Sequence, residues 1–216
     1  MTRKELYIFD FDGTLGDTSG CIVASFQEAL TFCGVSGINE REIVECMGMS
    51  LPLVFKKLTN NSLTDEKYNE LVELYRDSYT VLLSDHTKGF PGVIEVLREI
   101  KERGAKIAIA TSKKTSFAIK SCEVLGLDEF IDLYYGDDMV PADRKKPDPE
   151  MLSRIICELD VDVNDAVMIG DSDLDIIMGN ALGMDTIAVT WGSHNRQRLA
   201  RAEPVEIIDD VTSILA

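Results

Sequence analysis

Apolar positions along this chain follow two rhythms. From residue 90 onward, short runs of consecutive apolar residues alternate with stretches in which apolar residues return every three or four places. The first rhythm belongs to strands buried on both faces, the second to helices with one buried stripe. Strands are predicted over residues 106–111 (Lys-Ile-Ala-Ile-Ala-Thr), 132–135, 166–169, 186–189 and 205–208. Helices are predicted over 92–103, where Val93, Val96, Leu97 and Ile100 share a face, and over 115–125, 150–159, 174–182 and 211–215. Gly104, Gly126 and Gly183 follow three of these helices, at the position where a left-handed cap favours glycine. A further short strand ends at Phe9. Strands separated by helices form a parallel sheet covered on both sides, so the expected class is α/β with a Rossmann-like sheet.

Residues 17–85 break the alternation and carry helical patterns only, over 18–32, 40–47, 51–58 and 64–83. The last opens on Thr64-Asp65-Glu66-Lys67, whose acid falls one residue early for a capping box. An all-helical block inserted after the first strand reads as a cap over a site. The expected division is a core of residues 1–16 and 88–216 and a cap of residues 17–87, hinged near Gly16 and Lys88-Gly89. A second packed domain without motion is the plainer reading of the same pattern.

Ligands of parallel α/β sheets sit beyond the carboxyl ends of the strands, and polar clusters stand at those places here. The first is Asp10-Phe11-Asp12-Gly13-Thr14, after the strand ending at Phe9. Side chains alternate across a strand, so two aspartates spaced by one residue face one group only if the chain turns between them. Gly13 allows such a turn. Two adjacent carboxylates suit binding a divalent cation and attacking an electrophile. The Asp-x-Asp-Gly pattern of residues 10–13 also fits an ordinary turn. An EF-hand loop does not fit, because a strand precedes Asp10 and no ladder of ligands follows Asp12. The other clusters are Thr111-Ser112-Lys113, Lys145-Lys146-Pro147-Asp148-Pro149, and Gly170-Asp171-Ser172-Asp173-Leu174-Asp175. Taken singly, Thr111, Asp171 and Ser172 could be helix N-caps, and Lys146 a solvated surface lysine.

Composition narrows the partners. The 216 residues carry 22 Lys and Arg against 38 Asp and Glu, a net charge of −16, which argues against nucleic acid or an anionic membrane as partner. A phosphate-handling site in such a chain needs a metal ion and one or two lysines to reverse the local field. The five cysteines, Cys21, Cys33, Cys46, Cys122 and Cys157, show no metal-binding or redox spacing and read as free thiols, mostly buried. Thr2-Arg3-Lys4-Glu5 leads straight into a strand too short for a signal-peptide core, and no apolar run reaches membrane-spanning length. A cytoplasmic location, as monomer or homodimer, is the expectation.

Four motifs in this order at these strand ends resemble the haloacid dehalogenase superfamily of phosphohydrolases. The helical insert after the first motif resembles the cap of its phosphoglycolate phosphatase-like branch, and Ala188-Val189-Thr190-Trp191-Gly192 is similar to that branch's last core strand. The resemblance implies a Mg²⁺-dependent phosphatase acting on a small phosphorylated metabolite through an aspartyl-phosphate. Asp10 would be the nucleophile, and Asp12 the general acid and base. Asp10 and Asp171 would be side-chain ligands of Mg²⁺, with the backbone carbonyl of Asp12 a third and Asp175 holding a metal-bound water. Thr111 would donate its hydroxyl, and Ser112 a backbone N–H at a helix N-terminus, to the phosphate. Lys146, which directly precedes the proline as the family's lysine does, would neutralise charge between nucleophile and phosphate. Lys145 stands where the family often has glycine or serine. A phosphosugar mutase, a pyrophosphatase and a nucleotide 5′-phosphatase share these residues and are the alternatives. Lys113 and Arg144 read equally well as surface residues, His86 and His194 lie away from the motifs, and Trp191 reads as packing. The segment from Cys46 to Leu51 would face the site, small or apolar throughout, with no basic anchor for a second anion.

Overall fold

The structure, a computed structural model, describes residues 3–215; Met1, Thr2 and Ala216, included in the expected core boundaries, lie outside the described residues. The chain begins with β1 (Leu6–Phe9) and a two-residue strand β2 (Gly16–Asp17). Four helices follow: α1 (Ser19–Phe32), α2 (Glu40–Val44), α3 (Leu51–Leu58) and α4 (Asp65–His86). After β3 (Lys88–Gly89), strands and helices alternate: α5 (Val93–Glu102), β4 (Lys106–Ala110), α6 (Thr115–Leu125), β5 (Leu133–Tyr135), α7 (Glu150–Leu159) and β6 (Ala166–Gly170). The chain closes with α8 (Asp173–Ala181), β7 (Asp185–Val189), α9 (Arg196–Arg201) and β8 (Glu206–Ile208).

Six strands form one parallel sheet in the order β5-β4-β1-β6-β7-β8. Strand periodicity distributes its side chains over two buried layers. Tyr7, Phe9, Ile107, Ile109, Val167 and Ile169 pack on one face with Val96, Leu97 and Ile100 of α5 and Cys122 of α6. Leu6, Ile8, Ala108, Ala110 and Met168 pack on the other with Met151, Leu152 and Ile155 of α7 and Met178 of α8. Both faces being covered, the runs read as continuously apolar. The helices before β3 have an apolar cluster of their own, built on Phe26, Leu30, Ile43, Phe55, Leu71, Tyr75 and Tyr79. The two chain segments joining it to the sheet are paired with each other: Gly16 lies opposite Gly89 and Asp17 opposite Lys88 in antiparallel β2 and β3.

Departures from the expected elements have local causes. The helix expected over 40–47 stops at Val44, and its start carries the capping box, Asn39 with Glu42. Thr64 caps α4 by accepting from the Lys67 N–H without the reciprocal bond, and that helix runs on to His86. Helix α9 was not expected: of its six residues only Leu199 is buried, so it writes no apolar stripe. Residues 211–215 form a 3₁₀ turn rather than an α-helix. All five cysteines are free thiols, three of them buried. Among the described residues no helix is long and apolar enough to cross a membrane.

Candidate active site

Strand β1 lies between β4 and β6, so the loops leaving these three strands diverge around one crevice at the sheet's carboxyl edge. Parallel register brings their ends level. Phe9 is opposite both Ile109 and Ile169, which sets Asp10, Thr111 and Asp171 at neighbouring positions just beyond the ladder. The Asp10 N–H still donates to Ile169 O at 2.9 Å, after which the chain turns. Gly13 has φ +77°, and a Cβ on it would overlap the Asp171 carboxylate. Glycine is therefore required here twice, by backbone conformation and by the close approach of Asp171.

Three buried carboxylates converge at this edge. One oxygen from each of Asp10, Asp171 and Asp175 lies within 4.8 Å of the others. The buried Lys146 ammonium bridges two of them, 3.0 Å from Asp10 Oδ1 and 2.6 Å from Asp175 Oδ1. The other Asp175 oxygen accepts from the Ser172 N–H and hydroxyl, a capping box that starts α8. Gly170 lacks the Cβ that would overlap the Asp175 side chain. Asp171 accepts from the Thr14 hydroxyl at 3.3 Å and from the Ser193 N–H at 2.6 Å.

One ammonium does not balance three carboxylates out of water. Burial, with Asp175 nearby and despite Lys146, pushes the Asp10 carboxyl up to about 7. Burial and the charges of Asp10 and Asp175 push Asp171 up to about 8. Burial works against the Lys146 ammonium, yet Asp10 and Asp175 outweigh it and raise its pKa. Hard oxygen donors carrying surplus negative charge fit a divalent cation such as Mg²⁺. The carboxylates offered to it are Asp10, Asp171 and Asp175. The Asp12 side chain stands outside this group because its Oδ1 already accepts from the Thr18 hydroxyl and the Lys113 ammonium.

Several residues stand differently from their expected places. Lys113 is not a surface lysine: besides pairing with Asp12, it lies 4.7 Å from the Tyr79 ring centroid and 5.6 Å from that of Phe11. Its burial depends on a ring from α4, far away in sequence. Ser112 is not at a helix N-terminus, since α6 begins at Thr115 with Lys114 as its cap. Instead its hydroxyl donates to Gly48 O at 2.6 Å, joining the β4 loop to the segment from Cys46 to Leu51. Asp175 is a full member of the carboxylate group and bonds Lys146 directly. Lys145 points away to Asp137 at 2.7 Å, leaving Lys146 alone at the carboxylates. His194 does lie beside a motif: buried, its Nδ1 accepts from the Asp173 N–H at 3.1 Å, and burial lowers its pKa. Thr111 is buried at the end of β4, and Arg144 is exposed and pairs with Asp148. Trp191 packs near Phe90 and donates to Thr14 O at 3.1 Å. Thr14, Thr18 and Ser193 were not singled out by sequence. The first two sit in or just after the Asp10 motif, whereas nothing in the sequence marks Ser193.

A cavity of about 60 Å³ opens beside Asp10, Asp12 and Thr111 and runs under the helical segment. Its walls come from α1, α4, α6 and the Cys46 to Leu51 segment.

Comparison with known proteins gives this site a context. Residues 7–189 match the model of a family described as haloacid dehalogenase-like hydrolase. The chain is 35% identical over 214 residues to "Probable phosphatase IndB" of Dickeya dadantii, covering 98% of this chain and 92% of that protein. It is 28% identical to a phosphoglycolate phosphatase of Psychrobacter arcticus over 98% of this chain and 94% of the relative. A haloacid dehalogenase-like family hydrolase from Streptococcus pneumoniae superposes with a TM-score of 0.87 at 26% identity, covering 100% of this chain and 98% of that one.

Proposed function

The chain belongs to the haloacid dehalogenase-like hydrolases, and from that premise we propose that it is a Mg²⁺-dependent phosphatase of small phosphomonoesters working through an aspartyl-phosphate. The observation that carries this reading is the convergence of Asp10, Lys146, Asp171 and Asp175 at the sheet edge, with Thr111 at the end of the adjacent strand. In this reading residues 1–16 and 88–216 are the catalytic core and residues 17–87 a mobile cap that closes over it. The relative named a phosphoglycolate phosphatase supports the reaction class.

In the first step an Asp10 oxygen forms a bond to phosphorus while the bond to the leaving oxygen breaks, and Asp12 gives that oxygen a proton. In the second, Asp12 takes a proton from a water that attacks phosphorus, and the bond to Asp10 breaks, releasing phosphate. Asp12 Oδ1 holds the two hydrogen bonds from Thr18 and Lys113, which leaves Oδ2 for this proton traffic. Lys146 stays protonated beside Asp10 and offsets charge on the attacked group. Thr111 donates to a phosphoryl oxygen, and the Ser112 N–H reaches the same group from the loop. Mg²⁺ held by Asp10, Asp171, Asp175 and the Asp12 carbonyl would screen the phosphate dianion from the attacking carboxylate.

The test is hydrolysis of p-nitrophenyl phosphate with and without Mg²⁺, in the wild type and in Asp10→Asn. Metal-dependent turnover that vanishes in Asp10→Asn is the expected result. Activity retained in Asp10→Asn would overturn the reading.

A further inference from the structure

The cavity beneath the helices bears on the half of the substrate that leaves. Phe26 of α1, Tyr75 and Tyr79 of α4 and Phe117 of α6 line it. These rings touch in sequence: centroids are 4.6 Å apart for Phe26 and Tyr75, 5.7 Å for Tyr75 and Tyr79, and 5.6 Å for Tyr79 and Phe117. Met49 and Leu51 face the same space. A wall of this kind favours an apolar body, and a charge placed against it without a partner is costly.

Two of the cations that line the cavity already hold carboxylates. Lys113 pairs with Asp12. Lys114 also lines it, near Asp138 but beyond ion-pair distance. Arg76 reaches Glu73 at 2.5 Å through Nη1. A second phosphate or a carboxylate on the substrate would therefore meet, in Lys113 and Arg76, cations that already hold a carboxylate. One donor is left over: the Arg76 Nε is buried and has no hydrogen-bond partner, an unfavourable state that an arriving acceptor would relieve. Its position along α4 is informative. That helix ends next to β3, and Tyr79 lies on its core side, against Phe117. Arg76, three residues earlier, is about 4.5 Å further from the sheet.

We propose that the cavity selects a leaving alcohol with an uncharged apolar body, best an aromatic ring, and a hydrogen-bond acceptor at its far end that satisfies Arg76. The phosphoryl group would sit at Asp10, the body against the row of rings from Phe26 to Tyr79, and the acceptor on the Arg76 Nε–H. Compounds whose leaving half is itself an anion, such as 2-phosphoglycolate and pyrophosphate, are the disfavoured class. This inference rests on the phosphatase reading.

Methyl phosphate, which fills none of the cavity, separates the two. If the Mg²⁺-loaded protein hydrolyses neither methyl phosphate nor any other ester, the phosphatase reading fails. The inference itself is read from kcat/KM for benzyl phosphate, 4-nitrobenzyl phosphate, 2-phosphoglycolate and pyrophosphate. Benzyl phosphate should exceed the two anionic compounds by at least about tenfold. Arg76→Leu should cost the 4-nitrobenzyl ester about tenfold more than the benzyl ester, because only the former offers an acceptor. Met49→Arg, which adds a cation to the half-buried rim, should move the preference toward 2-phosphoglycolate, and it keeps the inference testable if Arg76→Leu proves unstable. Turnover of 2-phosphoglycolate or pyrophosphate equal to that of benzyl phosphate would overturn the proposal, as would equal losses of both benzyl esters in Arg76→Leu.

Discussion

The sheet edge and the cavity beside it hold their shapes by opposite means. At the edge, the buried charged groups have named partners: Lys146 with Asp10 and Asp175, Asp175 with Ser172, and Asp171 with Thr14 and Ser193. Under the helices, the wall is a run of touching rings with one unmet donor, the Arg76 Nε. Charge at the edge is fixed in place and in excess of what burial tolerates. Under the helices the wall is mainly apolar and fixes no single position. The first arrangement suits a reaction that must run the same way on every substrate, and the second suits discrimination by shape and apolar area. Changes at the edge should therefore alter rate for every ester alike, and changes in the cavity wall should alter only the ranking of esters.

The largest effect is expected for Asp10→Asn. Loss of the nucleophile should lower kcat by at least about 10³-fold on every ester tested, measured in steady state with Mg²⁺ saturating. Lys146→Met should come next. It strands the buried carboxylates of Asp10 and Asp175, so it should cost about 3 to 5 kcal/mol of stability, seen by denaturant melting, together with rate. Substrate-selective loss in either variant would break the comparison.

Metal removal tests the excess charge directly. Asp10 and Asp171 titrate higher in the fold than in the unfolded chain, at about 7 and about 8. Such groups support folding most at low pH, and that support is lost as pH rises through their folded values. Chelator-treated protein should therefore melt at lower temperature at pH 9 than at pH 6, and Mg²⁺ should restore the loss. At a hundredfold excess over its Kd, Mg²⁺ should raise Tm by about 5 to 10 °C, read by calorimetry. A Tm insensitive to Mg²⁺ would count against a metal at these carboxylates. A smaller effect is expected for Lys113→Met: removing one of the two donors to Asp12 should lower kcat by about tenfold with KM little changed, on aliphatic and aromatic esters alike.

The edge was legible in the sequence because each of its parts is local. Asp10, Thr111 and Asp171 each follow an apolar run at once, and strands in register bring such positions level without help from elsewhere. The spacing of Asp171 and Asp175 likewise set both carboxyls on one side of the start of α8. The sequence leaves Lys113 open between site and surface because its neighbours Asp12 and Tyr79 come from two other parts of the chain. His194 was missed for the same reason, its partner lying on α8. Phe26, Tyr75 and Tyr79 are spread over two helices, and in sequence each is one more apolar position in a buried stripe. Only their packing shows that the stripe also borders a cavity.

The antiparallel pairing of Gly16 and Asp17 with Lys88 and Gly89 has a topological consequence. It makes the whole helical segment the loop of a hairpin whose ends are already held together. Closure entropy rises only with the logarithm of loop length, about 0.6 kcal/mol per doubling, so the length of that loop is nearly free to vary. A chain in which a short turn replaces residues 18–87 should still close the same two-residue ladder and fold its six-stranded sheet. By the same token, a helical segment from another protein could be exchanged at this ladder without disturbing the sheet it sits on.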